Sequence, residues 1–384
     1  MSEAVSFGFS EEQEELRRSV RRFLDDKSPM AQVRALMAGA EGYDRQVWEL
    51  MANQLGLQGL IIPEEFGGSG FGYMELAVVM EEMGKSLLCA PYFSSVCLAA
   101  NALLTSQDNA AMKDYLGAIA DGSTVATLAF SEETGAWDEE GITLPATLGA
   151  NGWVLNGTKM FVIDGHTANL ILVAARVADA LGGPSGSGGV SLFAVDGDAL
   201  GLVRTPLATM DQTRKQARLE FTNTPARLIG EQGAAWPFLS KTLDLAAIAL
   251  AAEQVGGAQQ CLDTSVEYAK TRIQFGRPIG SFQAIKHKCA DMLLEVESAR
   301  SAAYYASWVA ADDSDELGVV ACMAKAYCSD AYFHAASENI QIHGGIGFTW
   351  EHDAHLYFKR AKTSELLLGD PSYHRELLAQ RLGI

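Results

Sequence analysis

The sequence predicts an α+β protein, mostly α, built from a helical segment, a compact β domain and a helical bundle in that order. Three observations carry this. Apolar residues recur at helical spacing up to about residue 121. Between 122 and 231 the chain breaks into short β-branched or alternating stretches divided by Gly-rich turns. From 232 onward helical periodicity returns in long segments with few breakers. The expected domains are therefore 1–121, 122–231 and 232–384.

In the first part, "FSEEQEELRRSVRRFLDD" offers Ser10 as an N-cap with Gln13 three residues on, followed by Leu16, Val20, Phe23 and Leu24 on one face. "DRQVWELMANQLGL" and "YMELAVVMEEMGKSL" read likewise, with the Pro/Gly-rich loop "LIIPEEFGGSGFG" between them. In the middle part, "STVATLAFSE", "GWVLNGTKMFVID", "ANLILVAAR", "GVSLFAVD", "LVRTPLAT" and "ARLEFTNTPA" read as strands of an antiparallel domain. "GGPSGSGG" (182–189) reads as a flexible connection between two of them. In the last part Ile285, Cys289, Met292, Leu293 and Val296 form one stripe, and four long helices would pack as a bundle.

The 384 residues are 48% hydrophobic, enough for a large core. A formal charge of −19 argues against nucleic-acid binding, which needs clustered Lys and Arg. No GxGxxG or Walker loop is present, so a nucleotide would be held another way. Cys89, Cys97, Cys261, Cys289, Cys322 and Cys328 show no CxxC spacing and read as buried reduced thiols, the pattern of a cytosolic (cytoplasmic) protein. "MSEAVSFGFSEEQ" lacks the features of a signal peptide, and Asp244 and Glu253 interrupt the most apolar run short of the ~20 residues a membrane span needs.

Two motifs carry chemistry. "YAKTRIQFGRPIGSFQAIKHKCADM" (268–292) sets Arg272, Phe275, Gly276 and Arg277 ahead of Gln283, and two guanidinium forks suit diphosphate oxygens. The competing reading is a solvated helix end. "QIHGGIGFTWEHDAHLYFKRAK" (341–362) has Gly344, Gly345 and Gly347, which leave main-chain amides open to a ligand or simply make a bend between helices. Glu351, His352, Asp353 and His355 imitate a metal set, but no second matching cluster accompanies them, so capping or solvated roles are expected and no metal.

The two motifs in this order resemble those of the acyl-CoA dehydrogenase family, and the resemblance runs along essentially the whole chain. "FSEEQEELRRSVRRFL" and "IPEEFGGSG" resemble the family's opening helices, and "TLAFSEETGAWD" and "GTKMFVIDG" its flavin-facing loops. The resemblance implies a helical N-terminal domain, a central β-barrel-like domain and a C-terminal four-helix bundle. It implies FAD between the last two domains, with the adenine end completed by a neighbouring subunit of a tetramer, and electrons passed to an electron-transfer flavoprotein. By resemblance Arg272 and Phe275 contact the diphosphate and adenine, Gln283, Gln341, Gly344 and Gly345 border the same cofactor, and Ser131 lies by the isoalloxazine ring. Asp244 matches a position near the CoA part of an acyl-CoA substrate.

The implied reaction of lipid metabolism is α,β-dehydrogenation of an acyl-CoA thioester by an FAD-dependent oxidoreductase. It needs a positioned, desolvated carboxylate to take the α-proton. Leu368 stands at the commoner place of that glutamate and Ala246 at the other, so neither usual position carries the base. Trp137 stands where a small hydroxyl residue is usual, Phe161 for a tryptophan, Ile163 for a threonine and Asp164 for an asparagine. Glu253 and Asp370 are the substitutes with catalytic candidacy; Glu365 reads as solvated or paired. The expected function is an acyl-CoA dehydrogenase with a displaced base. The alternatives are a catalytically silent subunit of a heterotetramer, or another flavin reaction such as nitroalkane oxidation.

Overall fold

A computed structural model describes residues 9–177 and 189–384. Helix α1 (Glu11–Lys27) starts at the Ser10–Gln13 capping box, each side chain bonding the other's backbone N–H. It is followed by α2 (Met30–Ala38), α3 (Arg45–Leu55), α4 (Tyr73–Lys85), a π-helical turn (Phe93–Ala100) running into α5 (Asn101–Ser106), and α6 (Asn109–Ala120). Asp44 and Asp108 cap α3 and α6 by accepting from first-turn amides. Val20, Phe23 and Leu24 of α1 are buried with Trp48, Met51 and Leu76, so the predicted apolar face is the packed one.

Among the described residues the β domain has seven strands: β1 (Ala126–Ala129), β2 (Pro145–Gly149), β3 (Gly152–Ile163), β4 (Leu170–Val177), β5 (Val190–Asp196), β6 (Leu202–Pro206) and β7 (Gln216–Ile229). Pairings β4–β2, β2–β3, β3–β7, β7–β5 and β5–β4 close a ring, with β1 added on β4 and β6 on β7. Such closure leaves no long free edge. Two expectations are corrected. The domain is not purely antiparallel, because β1 and β2 both run parallel to β4. Strand β2 was missed because it opens on a proline and leaves Leu148 exposed, which reads as a turn. The proposed flexible connection at 182–189 lies outside the described residues except for Gly189.

The C-terminal part holds α7 (Trp236–Thr271), a small hairpin β8 (Ile273–Gln274) and β9 (Arg277–Pro278), α8 (Gln283–Ala311), α9 (Leu317–His343), α10 (Ala354–Leu366) and α11 (Pro371–Leu382). At 36 residues, α7 is roughly 54 Å long and is buried for most of its length. In the predicted α8 stripe Met292 and Val296 are buried, but Leu293 is 50% exposed. One residue is 100° of helix, enough to carry Leu293 off the packed line. Among the described residues no helix is long and apolar enough to cross a membrane.

Helices α4 and α7 touch through glycines. A Cβ on Gly256 would lie 1.8 Å from the Glu81 carbonyl oxygen, and one on Gly84 2.0 Å from that of Glu253. Gly256→Ala therefore forces two backbones apart. A loss of roughly 1–3 kcal/mol is expected in chemical denaturation, against the gain alanine gives in an uncrowded helix. A neutral result would refute the close crossing.

Candidate functional site

One group of predicted residues gathers at the far end of the bundle. After α7 the β8–β9 hairpin turns on Phe275 (φ +52°) and Gly276 (φ +76°), leaving the Phe275 side chain 91% exposed. Phe275 meets Phe282 edge to face, and the Arg277 guanidinium lies 4.1 Å over the Phe282 ring. Helix α8 begins at Gln283 without a side-chain cap, so its first-turn N–H groups are open to an anion. The Lys288–Glu338 ion pair ties the start of α8 to the end of α9. That brings Gln341, Gly344 and Gly345 level with Gln283. Gly344 has φ +63°, and a Cβ on Gly344 or Gly345 would meet nothing within 4 Å, so this main chain is open. Arg272, Gln283 and Gln341 are exposed, and none makes a side-chain hydrogen bond or ion pair among the described residues.

Ser131 lies elsewhere. It follows β1, is buried, and donates its hydroxyl hydrogen bond to the Ala136 carbonyl at 3.3 Å. The loop between them closes on itself. Trp137 stacks on Phe130 with centroids 5.5 Å apart and planes 9° from parallel, and the Tyr373 hydroxyl donates to the Trp137 carbonyl. Beneath, the fully buried Lys159 ammonium donates to Glu132 and to the Phe130 carbonyl. Asp164 accepts from Ser94 Oγ at 2.7 Å, and burial raises its carboxyl above the usual range. Ile163 is buried, while Phe161 is partly exposed at φ +57°. Trp236, the first residue of α7, packs 6.4 Å from Phe130, whereas Arg272 follows the last residue of the same helix. Ser131 and Arg272 thus sit at opposite ends of α7, too far apart for one dinucleotide to touch both within one chain.

The candidate bases are tied up. Glu253 is buried, with Oε2 2.5 Å from Arg214 Nη2 and Oε1 2.7 Å from Arg360 Nη1; Arg360 also reaches Asp211 at 2.9 Å. Burial opposes the charge of Glu253, but the two guanidiniums outweigh it and hold the carboxyl below its usual range. Both oxygens are committed, so in this arrangement Glu253 serves as counter-ion to Arg214 and Arg360. Asp370 is exposed and caps α11, accepting from the Tyr373 amide at 2.8 Å. It lacks the desolvated setting that a base for the α-proton requires. Glu365 pairs with Lys362. Asp244 forms a two-point pair with Arg381, at 2.9 and 3.0 Å, and burial raises its carboxyl to about 6 against the pull of that guanidinium.

Leu368 and Ala246 are both buried in the main core. Leu368 has φ +63° and Gly369 φ +100°, a bend held from two sides. His374 Nε2 is 3.0 Å from the Leu368 carbonyl, and Lys325 Nζ donates to the carbonyls of Glu365 and Gly369 and to Ser329 Oγ. Burial lowers the Lys325 ammonium to about 7, and burial plus Lys325 lowers His374 to about 3. Sequence reasoning missed Lys325, Arg214 and Arg360. The one available signal was a lone lysine in the apolar run "VVACMAKAYC".

Against known proteins, three family models match in order. The acyl-CoA dehydrogenase N-terminal domain matches residues 10–123, the middle domain 127–224 and the C-terminal domain 233–383. The chain belongs to the acyl-CoA dehydrogenase family. An acyl-CoA dehydrogenase named IpdE2, from Mycolicibacterium smegmatis, is 36% identical over 94% of this chain and 96% of its own length. Butyryl-CoA dehydrogenase from Megasphaera elsdenii superposes with TM-score 0.90 at 25% identity, covering 99% of this chain and 100% of that one. A chain of the ChsE4–ChsE5 complex from Mycobacterium tuberculosis gives 0.88 at 27%, covering 99% of each chain.

Acyl-CoA dehydrogenases bind FAD. The exposed end of the bundle fits that cofactor, since it offers uncommitted Arg272, Gln283 and Gln341, free amides and open glycine backbone. The closed loop at Ser131 does not fit an isoalloxazine ring, because its hydroxyl is spent internally and Trp137 covers Phe130.

Proposed function

We propose that this acyl-CoA dehydrogenase chain is the partner subunit of a hetero-oligomeric enzyme, lending half of a FAD site to a homologous subunit that carries the base. The single observation behind this reading is Leu368. At the place of the proton-abstracting carboxylate it is an apolar side chain packed in the core, and neither Glu253 nor Asp370 is free to replace it. Similarity to a chain of a two-protein complex supports the same reading.

In this role the free amides at the start of α8 and the Arg272 guanidinium neutralise the diphosphate, and Phe275 covers the adenine. Gly344 and Gly345 let the main chain come close to the cofactor. FAD, when bound, supplies the hydride acceptor for Cβ of the acyl group, with an electron-transfer flavoprotein as the downstream acceptor. This chain neither takes the α-proton nor holds the flavin ring.

The test is an anaerobic titration with short, long, branched and steroid acyl-CoA thioesters. It is run on this chain alone and after co-expression with a glutamate-bearing homologue from the same source. Expected are a colourless chain alone, one FAD per pair of unlike subunits, bleaching only in the mixture, and loss of that flavin on Arg272→Glu at an unchanged melting temperature. A chain that purifies with one FAD per copy and bleaches by itself would sink the proposal. So would bleaching by a nitroalkane with no response to thioesters.

A further inference from the structure

Helix α4 packs on both α7 and α8 as far as its last residue, Lys85, which pairs with Asp263 at 3.2 Å. Beyond that point the two longer helices continue side by side with a groove between them. They run antiparallel. The Arg300 guanidinium donates to Gln259 near one end, and at the other a Cβ on Gly280 would lie 2.9 Å from the Ala269 carbonyl oxygen. The groove holds two hollows of about 400 and 550 Å³ that share Val266, Lys270 and Cys289. Its walls are mostly apolar: Leu262 and Val266 from α7, Ile285, Cys289 and Leu293 from α8, and Pro278 from the hairpin. Leu293, displaced from the packed line of α8, is half exposed here.

Charge is unevenly placed along the groove. Lys270 and Lys286 stand toward the hairpin, both exposed, and neither makes an ion pair among the described residues. Toward α4 the charged lining residues, Asp263 and Glu267, are acidic. From Lys286 to Leu293 α8 rises roughly 10 Å, the reach of roughly eight methylenes. One end therefore offers two free ammonium groups, and the other an apolar channel whose carboxylates repel a second anion.

We infer that this groove binds a medium-chain fatty carboxylate, its head between the Lys270 and Lys286 ammonium groups and its chain running past Val266 and Cys289 toward Leu262 and Leu293. Burial of the chain supplies most of the affinity, and the two lysines set its direction. A cationic amphiphile of the same length meets like charge at the hairpin end, and a dicarboxylate meets it at the other. None of the residues expected to border FAD lines the groove, so its occupancy is independent of the partner-subunit reading.

Cys289 provides the readout, because it is half-buried in the groove while the other five cysteines are buried. The full chain is treated with iodoacetamide in hexanoate, octanoate, decanoate or dodecanoate, each below its micelle concentration, and alkylation is followed by mass spectrometry. Expected is protection of Cys289, with the half-protecting concentration falling about two- to fourfold for each added methylene up to decanoate and levelling beyond. The double variant Lys270→Glu/Lys286→Glu should need roughly tenfold more decanoate, while its protection by uncharged decanol stays that of the wild type. Both lysines are exposed, and melting temperatures report that the variant remains folded. Absence of protection by decanoate would overturn the inference. So would equal protection by decyltrimethylammonium, indifference to chain length or to the double variant, or protection by decanoyl-CoA without any by the free acid.

Discussion

Glu253→Gln should lower the melting temperature by roughly 10 °C, from a loss of about 3–5 kcal/mol, the usual effect of removing one partner from a buried ion pair. The exchange keeps the volume and removes the charge. Arg360, fully enclosed, would then keep only Asp211 as a charged partner, and Arg214 would lose its ion pair with Glu253. Neither guanidinium can shed its proton to relieve this. The outcome separates two roles. A catalytic carboxylate could become an amide with the fold intact and flavin reduction lost, whereas the clamp geometry requires that the fold suffer first. Thermal unfolding of wild type and variant decides it, and an unchanged melting temperature would return Glu253 to the list of bases.

The second large effect belongs to Lys325. Its ammonium is fully enclosed among neutral acceptors, and burial brings it to about 7, against about 10.4 in an unfolded chain. Between those values the unfolded chain binds more protons, so stability rises with pH across that window and is lost as pH falls toward 7. The full difference is on the order of 4 kcal/mol. Buried tyrosines with raised values also titrate at the alkaline end, so the comparison is with Lys325→Met. The stability of wild type relative to that variant, from urea midpoints at pH 7, 8 and 9, should climb. A flat difference would show that Lys325 does not titrate there. The same lysine holds the bend at Leu368, so its loss should also increase hydrogen exchange at the Leu367 and Leu368 amides.

Much of the fold was legible because its signals are local. The capping box at Ser10 and Gln13 lies within one helical turn, and β4 and β7 announce themselves by unbroken β-branched or alternating runs. The residues expected at the adenine side are local in the same way: Arg272, Phe275 and Gln283 span two short turns, and Gln341 through Gly345 a single helix end. The pairings that decide chemistry were not legible. Glu253 meets Arg214 and Arg360 across 39 and 107 residues of sequence. A glutamate in "LAAEQVGG" looks the same whether it is clamped or free.

From the sequence alone came the order of helices, strands and bundle, the motifs expected to face FAD, and the absence of a carboxylate at 368 and 246, because residue identity and short-range periodicity are one-dimensional properties. Only the tertiary structure decided that Glu253 and Asp370 are spent on structure, that Trp137 and Tyr373 close the loop beside Ser131, and that the two halves of the predicted site lie at opposite ends of α7. Those outcomes depend on which groups share a desolvated space. Burial fixes whether a carboxylate is a base or a counter-ion, and burial is set by contacts between segments that the sequence keeps far apart.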